Sequence, residues 1–359
     1  MSELIAQRKD DHVRLAVEQQ RRAGSGNQFD EVSFVHHALA GIDREQVTLA
    51  TSFAGLSWPV PLYINAMTGG SQSTGRINAD LAVAARETGV PIASGSMSAY
   101  FKDPACAGTF SVLRELNPSG FVMANVNATA SVDNARRAVD LLAADALQIH
   151  VNTVQETVMP EGDRSFASWV PQIEKIAAAL EVPVIVKEVG FGLSGASVRL
   201  LADLGVAVAD VGGRGGTDFA AIENGRRPLG DYAYLDGWGL STPACLLDAA
   251  AAPLPVLASG GVRHPLDVAR ALALGAKAVG ASGTFLRTLV DGGTSALIAQ
   301  ITTWLDQLAA LHTLLGAPDP AALSRCDVLI GGRLRQFCAD RGIDTAPLAR
   351  RSTNRHHGR

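Results

Sequence analysis

Ala146-Leu147-Gln148-Ile149-His150-Val151-Asn152-Thr153-Val154-Gln155-Glu156-Thr157-Val158-Met159-Pro160-Glu161-Gly162-Asp163-Arg164 is the stretch from which the rest of the chain can be read. It opens with a short, largely apolar run, as a strand buried on both faces requires. His150, Asn152, Gln155 and Glu156 then crowd into seven positions. One such residue would satisfy backbone groups at a strand end; four together point into a site.

The same design recurs outward in both directions. Strand-like segments at 61–66, 91–94, 121–125, 147–151, 183–186, 206–211, 255–258 and 278–281 alternate with helical ones such as 76–88, 132–144, 169–180, 197–204 and 266–274. Eight strand-then-helix units imply an α/β fold of the (β/α)8 TIM-barrel class, a single domain over 1–359. Polar motifs follow the strands: Met67-Thr68-Gly69-Gly70, Gly95-Ser96, Asn125 with Asn127, His150 to Glu156, Lys187-Glu188, Gly212 to Thr217, Ser259-Gly260-Gly261 and Ser282-Gly283. All fall at carboxyl ends of strands, where this barrel assembles its active site.

Three segments lie outside the repeat. Residues 1–23 read as an N-terminal helical arm, ended by Gly24-Ser25-Gly26-Asn27. In it Lys9 and His12 share a helix face, either as a small cationic patch or as a solvated surface. The long loop after strand 6, residues 214–240, reads as a lid, a substrate loop or a subunit contact. Residues 350–359 read as a disordered tail.

Composition narrows the class. Hydrophobic residues make up 47% and aromatics only 5%, which suits closely packed helices and glycine turns rather than an all-β sandwich. A net charge of -4, with no interleaved basic and aromatic run, gives no general attraction to nucleic acid, so phosphate binding must be local. Cys106, Cys245, Cys326 and Cys338 have no zinc-ligand spacing and read as reduced thiols. No apolar run reaches the ~18 residues of a membrane span, and the N-terminus lacks a signal-peptide core, so the expectation is a soluble cytoplasmic protein.

The motifs suggest chemistry. Ser259-Gly260-Gly261-Val262-Arg263 and Gly280-Ala281-Ser282-Gly283 follow strands seven and eight, where backbone N–H groups commonly hold a phosphate, of flavin mononucleotide (FMN) or of a sugar. Lys187, deep at the end of strand five, needs either an anionic ligand or an ion pair with Glu188. Glu156, one carboxylate beside an amide, suits a magnesium ion that keeps water and substrate phosphates in its shell; general base is its alternative role.

Taken together, Arg8-Lys9-Asp10-Asp11-His12, Met67-Thr68-Gly69-Gly70, Gln148 to Asn152 with Gln155-Glu156 and Met159 to Asp163, Val186 to Gly192, and Gly212 to Thr217 with Phe219 to Asn224 resemble the type 2 isopentenyl-diphosphate isomerases over nearly the whole chain. The resemblance implies an isomerase of isoprenoid biosynthesis that interconverts isopentenyl and dimethylallyl diphosphate. It also implies bound FMN kept reduced by NADPH, a requirement for Mg2+, and a homo-oligomer of four or more subunits. Arg8, Lys9 and His12 would hold the diphosphate, with Ser96, His150 and Asn152 near the substrate. Gln155 would be catalytic beside the reacting carbons, and Glu156 would hold the metal. Met67, Thr68, Ser96, Asn125, Lys187 and Thr217 would contact flavin, with Gly260, Gly261, Arg263, Ser282 and Gly283 at its phosphate. Many members have Gly-Ser-Gln-Arg where this chain has Gly95-Ser96-Met97-Ser98, so the substrate contact expected of that arginine is weaker here or is supplied elsewhere, for instance by Lys102. Competing readings are an FMN-dependent hydroxy-acid oxidoreductase, which wants a histidine base and an arginine near the flavin, and a binding protein without activity.

Overall fold

The computed structural model describes the backbone of residues 2–22 and 26–355 and the side chains of 9–21 and 26–352. Eight parallel strands close into a barrel: β1 (Leu62–Ile64), β2 (Ile92–Ala93), β3 (Val122–Asn127), β4 (Ala146–Val151), β5 (Val184–Glu188), β6 (Val208–Asp210), β7 (Val256–Ser259) and β8 (Val279–Ala281). All eight expected units are present. The ring closes where Leu62, Tyr63 and Ile64 of β1 pair with Val279, Gly280 and Ala281 of β8. Pro61, Pro91, Pro183 and Pro255 stand just before strands, where the missing N–H costs nothing and the carbonyl still accepts from the neighbouring strand.

Helices begin at side-chain caps. Ser71, Ser131, Ser194 and Ser241 each accept a backbone N–H from the first turn of the helix that follows. Ser71 therefore starts its helix, Gln72–Thr88, a turn before the expected 76, and Ser194 starts the helix Gly195–Asp203 ahead of the expected 197. Apolar faces of these helices cover the outside of the barrel. Inside it, Tyr63, Met123, Ile185, Val208 and Leu257 pack with Trp58. Trp58 comes from the hairpin Thr51–Phe53/Leu56–Trp58, and its ring lies edge-on or tilted against Phe53, Tyr63 and Phe121 at 5.0–5.4 Å. This hairpin plugs the amino-terminal mouth and leaves only the carboxyl-terminal mouth open for a site.

Over that open mouth lies helix α1 (Ser2–Arg22). Ala16 and Val17 bury against Ile222 and Leu286, Gln19 exchanges two hydrogen bonds with the backbone of Asp218, and Asp10 accepts from Ser71 and Ser73. At the other end of the chain the expected loose tail is anchored at least to Ser352, whose N–H and Oγ both donate to Asp327. His356 and His357 lie outside the described residues.

Candidate active site

One cavity of about 690 Å³ opens at the carboxyl ends of the strands. Every site residue expected from the sequence lines it except Arg8, whose side chain lies outside the described residues. Lys9 and His12 reach it from α1. Gln155 and Glu156 reach it from a short helix, α2 (Thr153–Val158), which continues β4 directly. The loop 214–240 contributes Gly237 and Trp238 to the rim, with Trp238 58% exposed.

Geometry around Gln155 is tight. Its Nε2 donates to Glu223 Oε1 at 3.0 Å, and its Oε1 accepts from Asn152 Nδ2 at 3.1 Å, so the amide has one orientation. Glu223 belongs to helix α3 (Phe219–Gly225) and is fully buried, yet it also meets His12 Nε2 at 3.0 Å and an Arg226 guanidinium nitrogen at 2.5 Å. Burial alone would raise its pKa; contacts with His12, Gln155 and Arg226 reverse this and hold it at about 2. Sequence reading gave Glu223 no role. Its only signal was membership of the motif Phe219 to Asn224.

Glu156 is pinned as well, with Oε1 accepting from Asn152 Nδ2 (3.1 Å) and Oε2 from the Asp163 N–H (2.8 Å). Among the described residues no group of three or more His, Cys, Asp or Glu forms a metal cage. A cation here would take one protein carboxylate and complete its shell with other oxygens, the habit of Mg2+.

Below Gln155 a polar layer crosses the barrel. Asp210, on β6 and fully buried, accepts from Tyr63 Oη (2.6 Å), Ser259 Oγ (2.7 Å), Asn65 Nδ2 (3.1 Å) and the Gly212 N–H (3.2 Å). Asn65 Oδ1 faces Gln148 Nε2 at a long 3.4 Å, Gln148 Oε1 accepts from Asn125 Nδ2, and Asn125 Oδ1 lies 2.9 Å from His150 Nδ1. Burial, then Lys187 and Lys9, push the His150 pKa down to about 3, so its imidazole is neutral and Nδ1–H is the donor to Asn125. Lys187 does not make the ion pair with Glu188 that its neighbour in sequence offers. Its Nζ donates to the Glu188 backbone carbonyl (2.8 Å), while the Glu188 side chain turns away to accept from the N–H groups of Gly190, Phe191 and Gly192. Successive strand residues face opposite sides, so only Lys187 can point into the barrel.

The glycine loops form the cavity wall near β7 and β8. Gly260 and Gly261 have φ of 93° and 74°, and a Cβ on Gly260 would strike the Gly213 carbonyl. Thr242 Oγ1 holds the carbonyls of Ser259 and Gly260 at 2.7 Å. Arg263 lines the cavity, but its guanidinium is engaged by Asp30 and Asp267, which leaves the loop backbone as the principal anion donor there. Thr68 Oγ1 is buried without a hydrogen-bond partner at the cavity edge. Backbone cradle, orphaned hydroxyl and buried lysine together fit a phosphorylated, ring-bearing cofactor such as FMN.

A barrel with this mouth belongs, by comparison, to the flavin-dependent class: residues 119–329 match the FMN-dependent dehydrogenase family. Its fold is shared with solved structures of a Pediococcus acidilactici lactate oxidase (17% identity, TM-score 0.65, 92% of this chain and 94% of that one) and of mandelate oxidase (20%, 0.60, 88% and 90%). Sequence likeness is much closer elsewhere. An isopentenyl-diphosphate delta-isomerase from Streptomyces sp. (strain CL190) is 74% identical over 97% of this chain and 96% of its own length. Another, from Latilactobacillus sakei subsp. sakei (strain 23K), is 46% identical over 94% and 96%. The chain belongs to the isopentenyl-diphosphate delta-isomerase family.

Proposed function

We propose that this protein interconverts isopentenyl and dimethylallyl diphosphate on reduced FMN, with Mg2+ at Glu156 and NADPH as the reductant. The observation that carries the reading is the meeting of a fixed amide (Gln155), a pinned carboxylate (Glu156), a rim lysine and histidine (Lys9, His12) and a glycine cradle in one cavity.

Moving the double bond requires a proton added to an unactivated alkene carbon and another removed, with cation character between. When bound, reduced FMN supplies an acid and a base suited to this without net electron transfer. The chain's own residues do the rest. Gly260, Gly261, Ser282 and Gly283 hold the cofactor phosphate, and Met67, Thr68, Ser96, Asn125, Lys187 and Thr217 hold its ring. Lys9, His12 and Arg8 take the diphosphate, with Lys102 at the rim in place of the arginine that Ser98 lacks. The Gln155 carbonyl has a lone pair left after bonding Asn152 and can face developing positive charge. Docking of α1 excludes water from the reacting centre.

The test is anaerobic turnover of isopentenyl diphosphate with FMN, Mg2+ and NADPH, for the wild type and Glu156→Gln. Isomerisation that needs reduced flavin and collapses in the variant supports both assignments. No isomer from protein carrying fully reduced flavin overturns the reading.

A further inference from the structure

Lys187 is a buried cation whose charge the surrounding strands must maintain. Its cross-strand neighbours are His150 on β4 and Asp210 on β6. Paired residues of parallel strands project to the same side, so all three face the barrel interior. His150 is neutral, and the Glu188 carboxylate points out of the barrel to its three backbone donors. Lys9 on α1 is a further cation above His150. Tyr63 sits against Asp210 as a donor, and burial raises its pKa well above the ordinary value, so it stays a neutral phenol. Asp210 is therefore the anion that shares the interior with the ammonium. None of the four groups donating to it is an ion, so Lys187 is its counter-charge.

We propose that Asp210 is a positioning residue that keeps Lys187 protonated in the cavity floor before the flavin is reduced, so that flavin reduction draws no proton onto the lysine. The inference rests on the FMN reading above. Two unit charges ~6 Å apart, beyond direct ion-pair contact, at an effective dielectric of ~20 shift a protonation equilibrium by roughly a hundredfold. Burial lowers the Lys187 pKa, while Asp210 and then Glu188 raise it; without Asp210 the desolvation is opposed by Glu188 alone, the weaker of the two. A lysine neutral beside oxidised flavin would then gain its proton only when negative charge arrives on the ring.

The arrangement is built rather than incidental. The four donors come from β1, β7 and the turns after β1 and β6, and Gly280 on β8 is bare where a Cβ would meet the Tyr63 ring. Tyr63 can reach Asp210 only because of that gap.

The experiment is a redox titration of the FMN-loaded protein against pH, between about pH 6 and 9, to count protons taken up per flavin reduced. In the wild type, the potential should follow the flavin's own proton uptake with no additional break. In Asp210→Asn, one extra proton should be taken up per flavin in the upper part of that range. Asp210→Asn combined with Lys187→Gln should lose the extra proton, and Asp210→Glu should restore the wild-type count. An unchanged count in Asp210→Asn overturns the proposal, as does an extra proton that persists in the double variant. Should Asp210→Asn fail to fold, wild type and Lys187→Gln still decide: a break in the wild type that Lys187→Gln abolishes means the lysine was never held charged. A wild-type protein that binds no FMN removes the cofactor reading and this inference with it, whereas loaded protein with the wrong proton count removes this inference alone.

Discussion

Replacing Glu223 with Gln should loosen the lid of the site without dismantling the barrel. The carboxylate is pulled from an ordinary 4.5 to about 2 by His12, Gln155 and Arg226 despite its burial. At about 1.4 kcal/mol per pKa unit, that difference represents ~3 kcal/mol favouring the folded, charged form. Because the folded pKa is the lower one, the contribution is complete above the unfolded value near 4.5 and fades as pH falls toward 2. Gln keeps an acceptor for the Gln155 amide but leaves His12 and Arg226 facing a neutral group. In urea unfolding at pH 7, Glu223→Gln should lie up to ~3 kcal/mol below wild type, and the gap should shrink to about 2 kcal/mol by pH 3.5. Hydrogen exchange should localise the loss, with amides of α1 and α3 exchanging at least tenfold faster while β3 to β5 are unchanged. A variant within ~0.5 kcal/mol of wild type at pH 7, or a gap of equal size at both pH values, would refute the reasoning.

Gln155→Ala leaves Glu223 and Asn152 each short of a partner, and should lower single-turnover isomerisation by roughly a hundredfold or more while FMN affinity stays within a factor of two or so; an equal loss of both would mean the amide is structural. Gly260→Ala forces a side chain to φ 93° and against the Gly213 carbonyl, so FMN affinity measured by fluorescence quenching should fall about tenfold or more, with a stability cost of ~1–3 kcal/mol. Lys102→Met should raise the KM for isopentenyl diphosphate about three- to tenfold with kcat little changed, most clearly at low salt, because the lysine is exposed at the rim. An unaltered KM would remove Lys102 from the diphosphate site.

Local rules made most of the barrel legible. Most strands are short apolar runs, several entered through proline, and the barrel's site residues cluster at or just past their carboxyl ends, so periodicity alone places Asn125, Gln155 and Lys187 at one mouth. What eluded the sequence depends on distant pairings. Glu223 lies 68 residues from Gln155 on a short helix inside an irregular loop, where one glutamate among charged neighbours carries no periodic signal. Asp210 reads as an ordinary strand-end carboxylate until strand order sets it beside Lys187. The Lys187–Glu188 pair was misleading for the opposite reason: adjacency in sequence means opposite faces in a strand. Arg263 carries the right charge in the right loop, and only the fold reveals that Asp30 claims it.

The two ends of this chain are sewn together. Val32–Phe34 pairs antiparallel with Val328–Ile330, Asn27 Nδ2 donates to the Gly261 carbonyl at 2.6 Å, and β1 finds its second neighbour only in β8. On a translating ribosome, therefore, Val32–Phe34 waits without its partner until residue 330 has emerged, and the cofactor mouth cannot exist before β7 and β8 do. Contacts of such sequence separation make closure slow and leave the unpaired edge of β1 exposed in the meantime. The half-made barrel is thus the state in which this polypeptide has most need of a chaperone, and a break near residue 330 would be felt first at Val32, three hundred residues away in sequence and one hydrogen-bond ladder away in space.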